Sequence, residues 1–187
     1  MKEKINCVIV HGCPDNEEDL SYNKHWIPWI ERELTSRNIS VETPSMPKPW
    51  IPNYEDFKKE FEKYNVNENS VLVGHSCGCA FLVRWLGEFE KRVKKLILVA
   101  PWKLPYREDG SDKEFYSYEI SSKVKDQVGE IIIFTSDNEV KDGKKSSEIL
   151  HKALGGKRIE LENKGHYTLG DMGKEEFPEL LETILSS

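Results

Sequence analysis

The stretch VLVGHSCGCA, residues 71–80, places a serine between two glycines at the junction of two apolar runs. The first run predicts a short buried strand, and the second predicts a buried helix over residues 77–86. In so tight a turn the flanking positions must lack bulk, so Gly74 and Gly78 let strand and helix approach each other. The turn lifts the Ser76 hydroxyl above the strand end, beside a helix N-terminus that favours negative charge.

Similar apolar runs alternate with helical patterns along the chain. The predicted strands cover residues 5–10, 39–41, 71–73, 96–100, 131–135 and 158–161, and the predicted helices cover 54–64, 77–86, 146–154 and 177–185. This alternation predicts an α/β protein: a three-layer α/β/α sandwich with a mostly parallel sheet of about six strands, in one domain spanning residues 1–187. Ligands of such sheets gather at the carboxyl ends of the strands.

Composition excludes several classes of protein. The net charge is −6 and no long basic block offsets it, which argues against a nucleic-acid partner. No apolar run approaches the length of a membrane span, and the N-terminus lacks a signal-peptide pattern, so the sequence predicts a cytoplasmic protein. The four cysteines do not suggest a disulfide framework, and we expect them to be reduced.

A serine nucleophile needs a positioned base. His166 follows the last predicted strand beside a glycine, on a loop that can hang over the sheet edge, and it is the preferred base. The other histidines lie in helical segments, in the first loop or directly beside the serine, where the side chain should point away (His11, His25, His75, His151).

The base in turn needs an acid to orient it. Asp137 directly follows the fifth predicted strand and is the preferred acid, although a carboxylate there could also cap a turn. Glu139 and Asp142 follow further along the chain and remain alternatives. The preferred order is therefore Ser76, Asp137, His166, the order expected of an α/β-hydrolase.

The whole chain resembles the α/β-hydrolase superfamily, and within it the small, nearly lidless serine hydrolases typified by retinoblastoma-binding protein nine. The segments that carry the resemblance are VIVHG (8–12), WIPWI (26–30), PSMP (44–47), VGHSCG (73–78), LVAP (98–101), SDNEV (136–140) and KGHY (164–167). The resemblance implies a compact hydrolase fold with Ser76 as nucleophile, His166 as base and Asp137 as acid. The L-x-C-x-E motif of the namesake is absent from the sequence, so a retinoblastoma-type partner is not supported.

Attack on a carbonyl also needs N–H donors for the developing oxyanion. The backbone amide of Cys77, the residue after the nucleophile, is the expected first donor, and Gly12 or Cys13 after the first strand supplies the second. A metal site is disfavoured because residues 77 and 79 face different sides of a helix, so we predict no metal and no cofactor. Cys7 and Cys79 are interpreted as small buried residues.

Substrate specificity is the least determined feature. Trp50 and Trp102 either line the cleft or belong to the core, and a polar segment from residue 102, ending by residue 118, could form a small flap. We predict a serine hydrolase that cleaves small carboxylic esters, with amides, thioesters and short peptides as further substrates. A non-catalytic interaction module that retains the fold is the alternative, and a cysteine-based hydrolase or cofactor-free lyase is disfavoured by the intact serine.

Overall fold

Six short strands form one parallel sheet in the computed structural model, which describes residues 5–186. The strands are β1 (Asn6–Val10), β2 (Ser40–Glu42), β3 (Ser70–His75), β4 (Val93–Val99), β5 (Val128–Ser136) and β6 (Lys157–Leu161). Their order in the sheet is β2-β1-β3-β4-β5-β6, and every neighbouring pair is parallel. The predicted α/β class and the six strands are confirmed, and the mostly parallel sheet is entirely parallel.

Helices connect successive strands, as parallel pairing requires, and two more helices follow the last strand. They are α1 (Trp26–Ser36), α2 (Tyr54–Phe61), α3 (Cys77–Glu88), α4 (Lys113–Tyr116), α5 (Val124–Gln127), α6 (Lys141–Leu154), α7 (Leu169–Met172) and α8 (Pro178–Leu185). Helix α6 begins five residues before the predicted helix, and α2 starts after an Asn53 side chain that accepts a hydrogen bond from the Asp56 amide. Within residues 5–186, no helix combines the length and apolar character needed to cross a bilayer.

Two hydrophobic clusters lie on opposite faces of the sheet. One contains buried residues of α2, α3 and α6, with Phe81 among the central side chains. The other contains residues of α1 and α8, with Trp26 and Phe177 in edge-to-face contact. The buried apolar side chains of β1, β3, β4 and β5 divide between the two clusters, so these strands are covered on both faces, which explains the continuous apolar runs in the sequence.

The carboxyl edge of the sheet is where the loops after the strands meet. Strand β3 runs two residues further than predicted, to His75, which pairs with Val99 of β4. The backbone amide of the next residue, Ser76, donates a hydrogen bond to the Val99 carbonyl oxygen at 3.0 Å. The central strands thus hold the serine at the middle of this edge.

Candidate active site

The backbone of Ser76 adopts a conformation that non-glycine residues rarely take, with φ 51° and ψ −119°. The two neighbouring glycines make the turn possible. A Cβ atom on Gly74 would lie 2.8 Å from the backbone of Cys79, and one on Gly78 would lie 2.5 Å from the carbonyl oxygen of Val10. Helix α3 therefore packs directly against β1 and β3, and the strained turn projects the serine side chain outward.

Three side chains form a continuous hydrogen-bonded chain at the sheet edge. Ser76 Oγ lies 2.8 Å from His166 Nε2, and His166 Nδ1 lies 2.8 Å from Glu139 Oε2. A neutral imidazole carries one N–H, and the carboxylate can only accept, so Nδ1 donates to Glu139. That tautomer leaves Nε2 free to accept the serine hydroxyl proton.

Glu139 is held firmly for an acidic side chain. Its side chain is only 2% exposed, and its second oxygen, Oε1, accepts a hydrogen bond from the Val140 amide at 2.8 Å. Space for the carboxylate comes from Gly143 in the first turn of α6, where a Cβ would lie 2.6 Å from Glu139 Cδ. Both oxygens are thus anchored, and the carboxylate is fixed against the imidazole.

Asp137, the acid preferred from the sequence, does not contact His166. Its side chain is exposed and accepts a hydrogen bond from the Asn163 amide at 2.7 Å. This bond lowers the pKa of the Asp137 carboxyl below its usual value. The geometry favours the alternative acid, Glu139, because the chain turns back after β5, where the Glu139 amide donates to the Ser136 carbonyl oxygen, and the turn aims the longer side chain at the imidazole.

The loop that carries His166 has further supports that the sequence analysis missed. His75 Nε2 lies 2.9 Å from the backbone oxygen of His166, and since a carbonyl only accepts, Nε2 carries the proton. On the other side, the His166 amide donates to Asp171 Oδ2 at 2.9 Å. His75 does point away from Ser76, as predicted, but it holds the loop of the base.

A disulfide joins the two loops predicted to supply backbone donors. Cys13 and Cys77 are bonded, with their Cα atoms 5.7 Å apart and a sequence separation of 64 positions. The expectation that all four cysteines are reduced is therefore wrong for this pair, because the loop after β1 folds onto the start of α3. Cys7 and Cys79 are free and buried, as predicted.

The amides at this junction lie close to the nucleophile. A Cβ on Gly12 would lie 3.1 Å from the Ser76 Cβ and 2.9 Å from His75 Nδ1, so only glycine lets the loop approach so closely. Gly12, Cys13 and Ser76 line the same cleft. The structure thus brings the predicted donor residues together around the serine.

The cleft above Ser76 has a volume of about 280 Å³, and part of its lining is aromatic. Its aromatic lining consists of Tyr22, Trp102, Tyr106 and Tyr116. Trp102 lies edge-on to the His166 ring, with 5.6 Å between the ring centroids. Trp50 is not among the lining residues, so of the two tryptophans considered from the sequence only Trp102 reaches the cleft.

The segment after β4 closes one side of this cleft. Tyr106 contributes to the wall, and its amide is fixed by Asp112 Oδ2 at 2.8 Å. Arg107 reaches across to the loop after β1, where it donates to the carbonyl oxygens of Pro14 and Asp15 at 3.5 and 3.2 Å. The polar excursion considered as a flap is therefore a fixed wall of the cleft.

Buried histidines surround the back of the cleft. Burial lowers the pKa of His11 from its ordinary 6.5 to about 4, and burial likewise lowers the pKa of His25 to about 4. Burial and the neighbouring His25 hold the pKa of His75 well below its usual range. These imidazoles are neutral in the folded protein, so protonation favours the unfolded chain.

We expect the free energy of unfolding to fall as the pH drops from about 6.5 towards 4. In this pH window the histidines bind protons in the unfolded chain but not in the folded protein. Their full contribution to the free energy of unfolding is therefore present only above the window. A histidine shifted from 6.5 to 4 accounts for about 2 kcal/mol between pH 7.5 and pH 5. Urea denaturation at these two pH values checks the prediction. His25→Gln should show a smaller difference, and equal stability of the wild type at both values would contradict the prediction.

Comparison with known sequences agrees with this architecture. Residues 7–186 match the sequence model of a family described as serine hydrolase. The YdeN protein of Bacillus subtilis (strain 168) is 31% identical over 96 residues, which cover 49% of this chain and 48% of YdeN. The aligned region is therefore about half the length of that relative.

Solved structures share the fold over nearly the whole chain. The ydeN gene product of Bacillus subtilis superposes with a TM-score of 0.82 at 20% identity, over 97% of this chain and 96% of that one. Est1E of Butyrivibrio proteoclasticus superposes with a TM-score of 0.61 at 13% identity, over 97% and 86%. At these identities the likeness establishes the α/β-hydrolase fold.

Proposed function

The chain belongs to the serine hydrolase family, and we propose that it cleaves carboxylic esters through an acyl-enzyme formed on Ser76. The observation that carries the proposal is the unbroken chain of hydrogen bonds from Ser76 through His166 to Glu139. A free hydroxyl is a weak nucleophile, and this chain supplies the base and its orienting acid. The same observation weighs against a non-catalytic module, because such a protein has no need to keep three aligned groups.

In the acylation step Ser76 Oγ attacks the ester carbonyl carbon while its proton passes to His166 Nε2. Collapse of the tetrahedral intermediate breaks the bond to the alcohol, which leaves with the proton from Nε2. Water then deacylates the enzyme by the same steps. His166 takes a proton from the water molecule, whose oxygen attacks the acyl carbon. The carboxylic acid leaves as His166 returns the proton to Ser76. Each half-reaction returns the imidazole to its neutral form.

Glu139 acts through the imidazole. Its carboxylate holds Nδ1–H, which keeps Nε2 unprotonated at the start of each half-reaction, and its charge stabilises the imidazolium that forms. Because Glu139 is buried and bonded at both oxygens, this charge is poorly screened by water. The acid assigned to the triad is therefore Glu139 in place of Asp137.

The oxyanion of the tetrahedral intermediate is stabilised by backbone amides. The Cys77 amide is at the first residue of α3, where an N–H has no partner within the helix. The amide of Gly12 or Cys13 is the second donor, from the loop that contacts the serine. Such preorganised donors supply most of the rate enhancement of an acyl-transfer site beyond that of its triad.

The cleft suits a small substrate. A volume of about 280 Å³ is at the lower limit of ordinary ligand pockets, and its aromatic wall favours an acyl or alcohol group with a flat apolar face. We therefore propose short-chain or aryl esters as the substrate class, with thioesters and amides as slower substrates of the same chemistry. A single-domain enzyme remains our prediction.

The proposal is tested by covalent labelling. A fluorophosphonate should add one adduct per chain, located by peptide mass spectrometry on Ser76, because among residues 5–186 only this hydroxyl is bonded to a histidine Nε2. Ser76→Ala should give no adduct, and Ser146→Ala, which alters a buried serine of α6, should label normally. Absence of labelling in wild type under conditions that label a control esterase would reject the proposed function.

A further inference from the structure

The Cys13–Cys77 disulfide joins the two chain segments that supply the oxyanion donors. Cys77 follows the nucleophile and opens α3, whereas Cys13 follows Gly12 in the loop after β1. These segments come from different strands, so their relative position depends on tertiary contacts. The disulfide fixes that position directly beside the reacting atoms.

The donor amides are free to receive an oxyanion. Within residues 5–186, the backbone N–H groups of Gly12 and Cys13 donate to no other group, and the first N–H of a helix has no intrahelical partner. All of them lie at the lining of the cleft or directly next to Ser76. These amides can stabilise the oxyanion only at a short distance, because a donor must lie within about 3.1 Å of the atom on which the charge develops.

We propose that the Cys13–Cys77 disulfide is a positioning element of the oxyanion site, and that full hydrolytic activity requires these two cysteines to be oxidised. This inference rests on the proposed function of Ser76. The disulfide touches no substrate atom; it sets the distance between the Cys77 amide and the amides of the β1 loop.

Other hydrogen bonds hold the β1 loop on either side of Cys13. His11 Nε2 accepts a hydrogen bond from the Met46 amide at 2.9 Å, and His11 Nδ1 donates to the Gly12 carbonyl oxygen at 2.7 Å, which fixes the start of the loop. Arg107 bonds the carbonyl oxygens of Pro14 and Asp15 further along. Within residues 5–186 the backbone of Cys13 makes no hydrogen bond of its own, so opening the disulfide leaves the loop folded while Cys13 gains freedom to move relative to α3.

The bond is open to attack from the cleft. Cys13 is partly exposed there, whereas Cys77 is fully buried. A thiolate of a small dithiol attacks the Cys13 sulfur and expels the Cys77 sulfur, which leaves as a thiolate at a helix N-terminus and then takes a proton. The second thiol of the reagent closes on the mixed disulfide, releasing Cys13 as a thiol and the reagent as a cyclic disulfide. Two electrons and two protons thus pass from the dithiol to the protein.

The experiment compares oxidised and reduced wild type on one activated ester. The protein is treated with dithiothreitol, desalted under nitrogen, and its freed thiols are counted before assay. We expect reduction to lower kcat about tenfold or more with little change in KM, because removal of one oxyanion donor costs a hundredfold or more elsewhere. Reoxidation should restore the rate. Unchanged kcat after the disulfide is shown to be open would overturn the proposal.

Cysteine variants test the role of the disulfide without a reductant. Cys13→Ala should match reduced wild type and lose its response to dithiothreitol. Cys79→Ala, which removes a free buried cysteine from the same helix, should keep both the activity and the response. Wild-type kcat in Cys13→Ala would reject the proposal even where the disulfide resists reduction.

A transition-state analogue distinguishes a disulfide that positions the oxyanion donors from one that only stabilises the fold. A trifluoromethyl ketone, which forms a tetrahedral oxyanion on the serine, should bind Cys13→Ala more weakly by the same factor as the loss in kcat/KM. Loss of stability alone leaves this affinity unchanged at temperatures where circular dichroism shows a folded variant. Oxidised wild type that fails to label at Ser76 rejects the proposed function instead, so the two failures are distinct.

Discussion

Glu139→Gln is expected to lower kcat by about a hundredfold or more, whereas Asp137→Asn should stay within a few-fold of wild type. The amide keeps the shape of the side chain but removes the charge that stabilises the imidazolium, and its NH₂ group can push the imidazole into the wrong tautomer. In chymotrypsin-type enzymes the equivalent change costs about four orders of magnitude. Asp137→Asn retains a carbonyl oxygen that can accept from the Asn163 amide, so the loop is preserved.

The measurement is turnover of both variants on one activated ester, with melting temperatures to confirm that each variant is folded. Glu139→Asp serves as a further control, because it keeps the charge but shortens the reach to His166 Nδ1. A crippled Asp137→Asn enzyme beside a nearly normal Glu139→Gln would restore the acid that the sequence alone suggested. The labelling of Ser76 would be unaffected by that result.

The sequence predicts the features of this site that depend on local pattern. The elbow is local, since two glycines, an aliphatic run and a buried helix occupy consecutive positions, so the place of Ser76 follows from residues 71–80. His166 was likewise identified from its position after the last strand. The parallel sheet follows from apolar runs that suit burial on both faces, and the structure confirms it.

The features that sequence reasoning left open or missed depend on contacts between distant segments. Glu139 reaches His166 because of a turn after β5 and the space left by Gly143, and neither is apparent from spacing. The disulfide requires that the β1 loop lie on the start of α3, a packing between residues 64 positions apart. Asp137 was a reasonable choice by position, and the structure gives its carboxylate a different task in the same loop.

His75 shows how the same region combines support and chemistry. The residue before the nucleophile is expected from the sequence to point away and to pack or bond locally, and its ring bonds the backbone oxygen of His166, 91 positions further along the chain. Glu139 holds the imidazole from one side, and Asp171 holds the amide of the same residue. The base is therefore positioned by three separate elements, which lowers the entropy that must be lost when the transition state forms.

His166→Ala is expected to lower kcat by about ten-thousandfold or more, roughly as much as Ser76→Ala. Without the imidazole no group accepts the Ser76 proton, and no group returns it to the leaving alcohol. Because serine and histidine act as a unit, the double variant with Ser76→Ala should be hardly slower than either single variant.

Added imidazole provides a test that a folding defect would not pass. The removed ring leaves a space between Ser76 Oγ and Glu139 that free imidazole can enter, so it should restore part of the activity in His166→Ala and none in Ser76→Ala. His151→Ala, which alters a histidine of α6 away from the cleft, should behave as wild type throughout. A His166→Ala enzyme with near-normal turnover would mean that another group removes the serine proton, and the buried, neutral His75 and His25 beside the cleft would be the next histidines to replace.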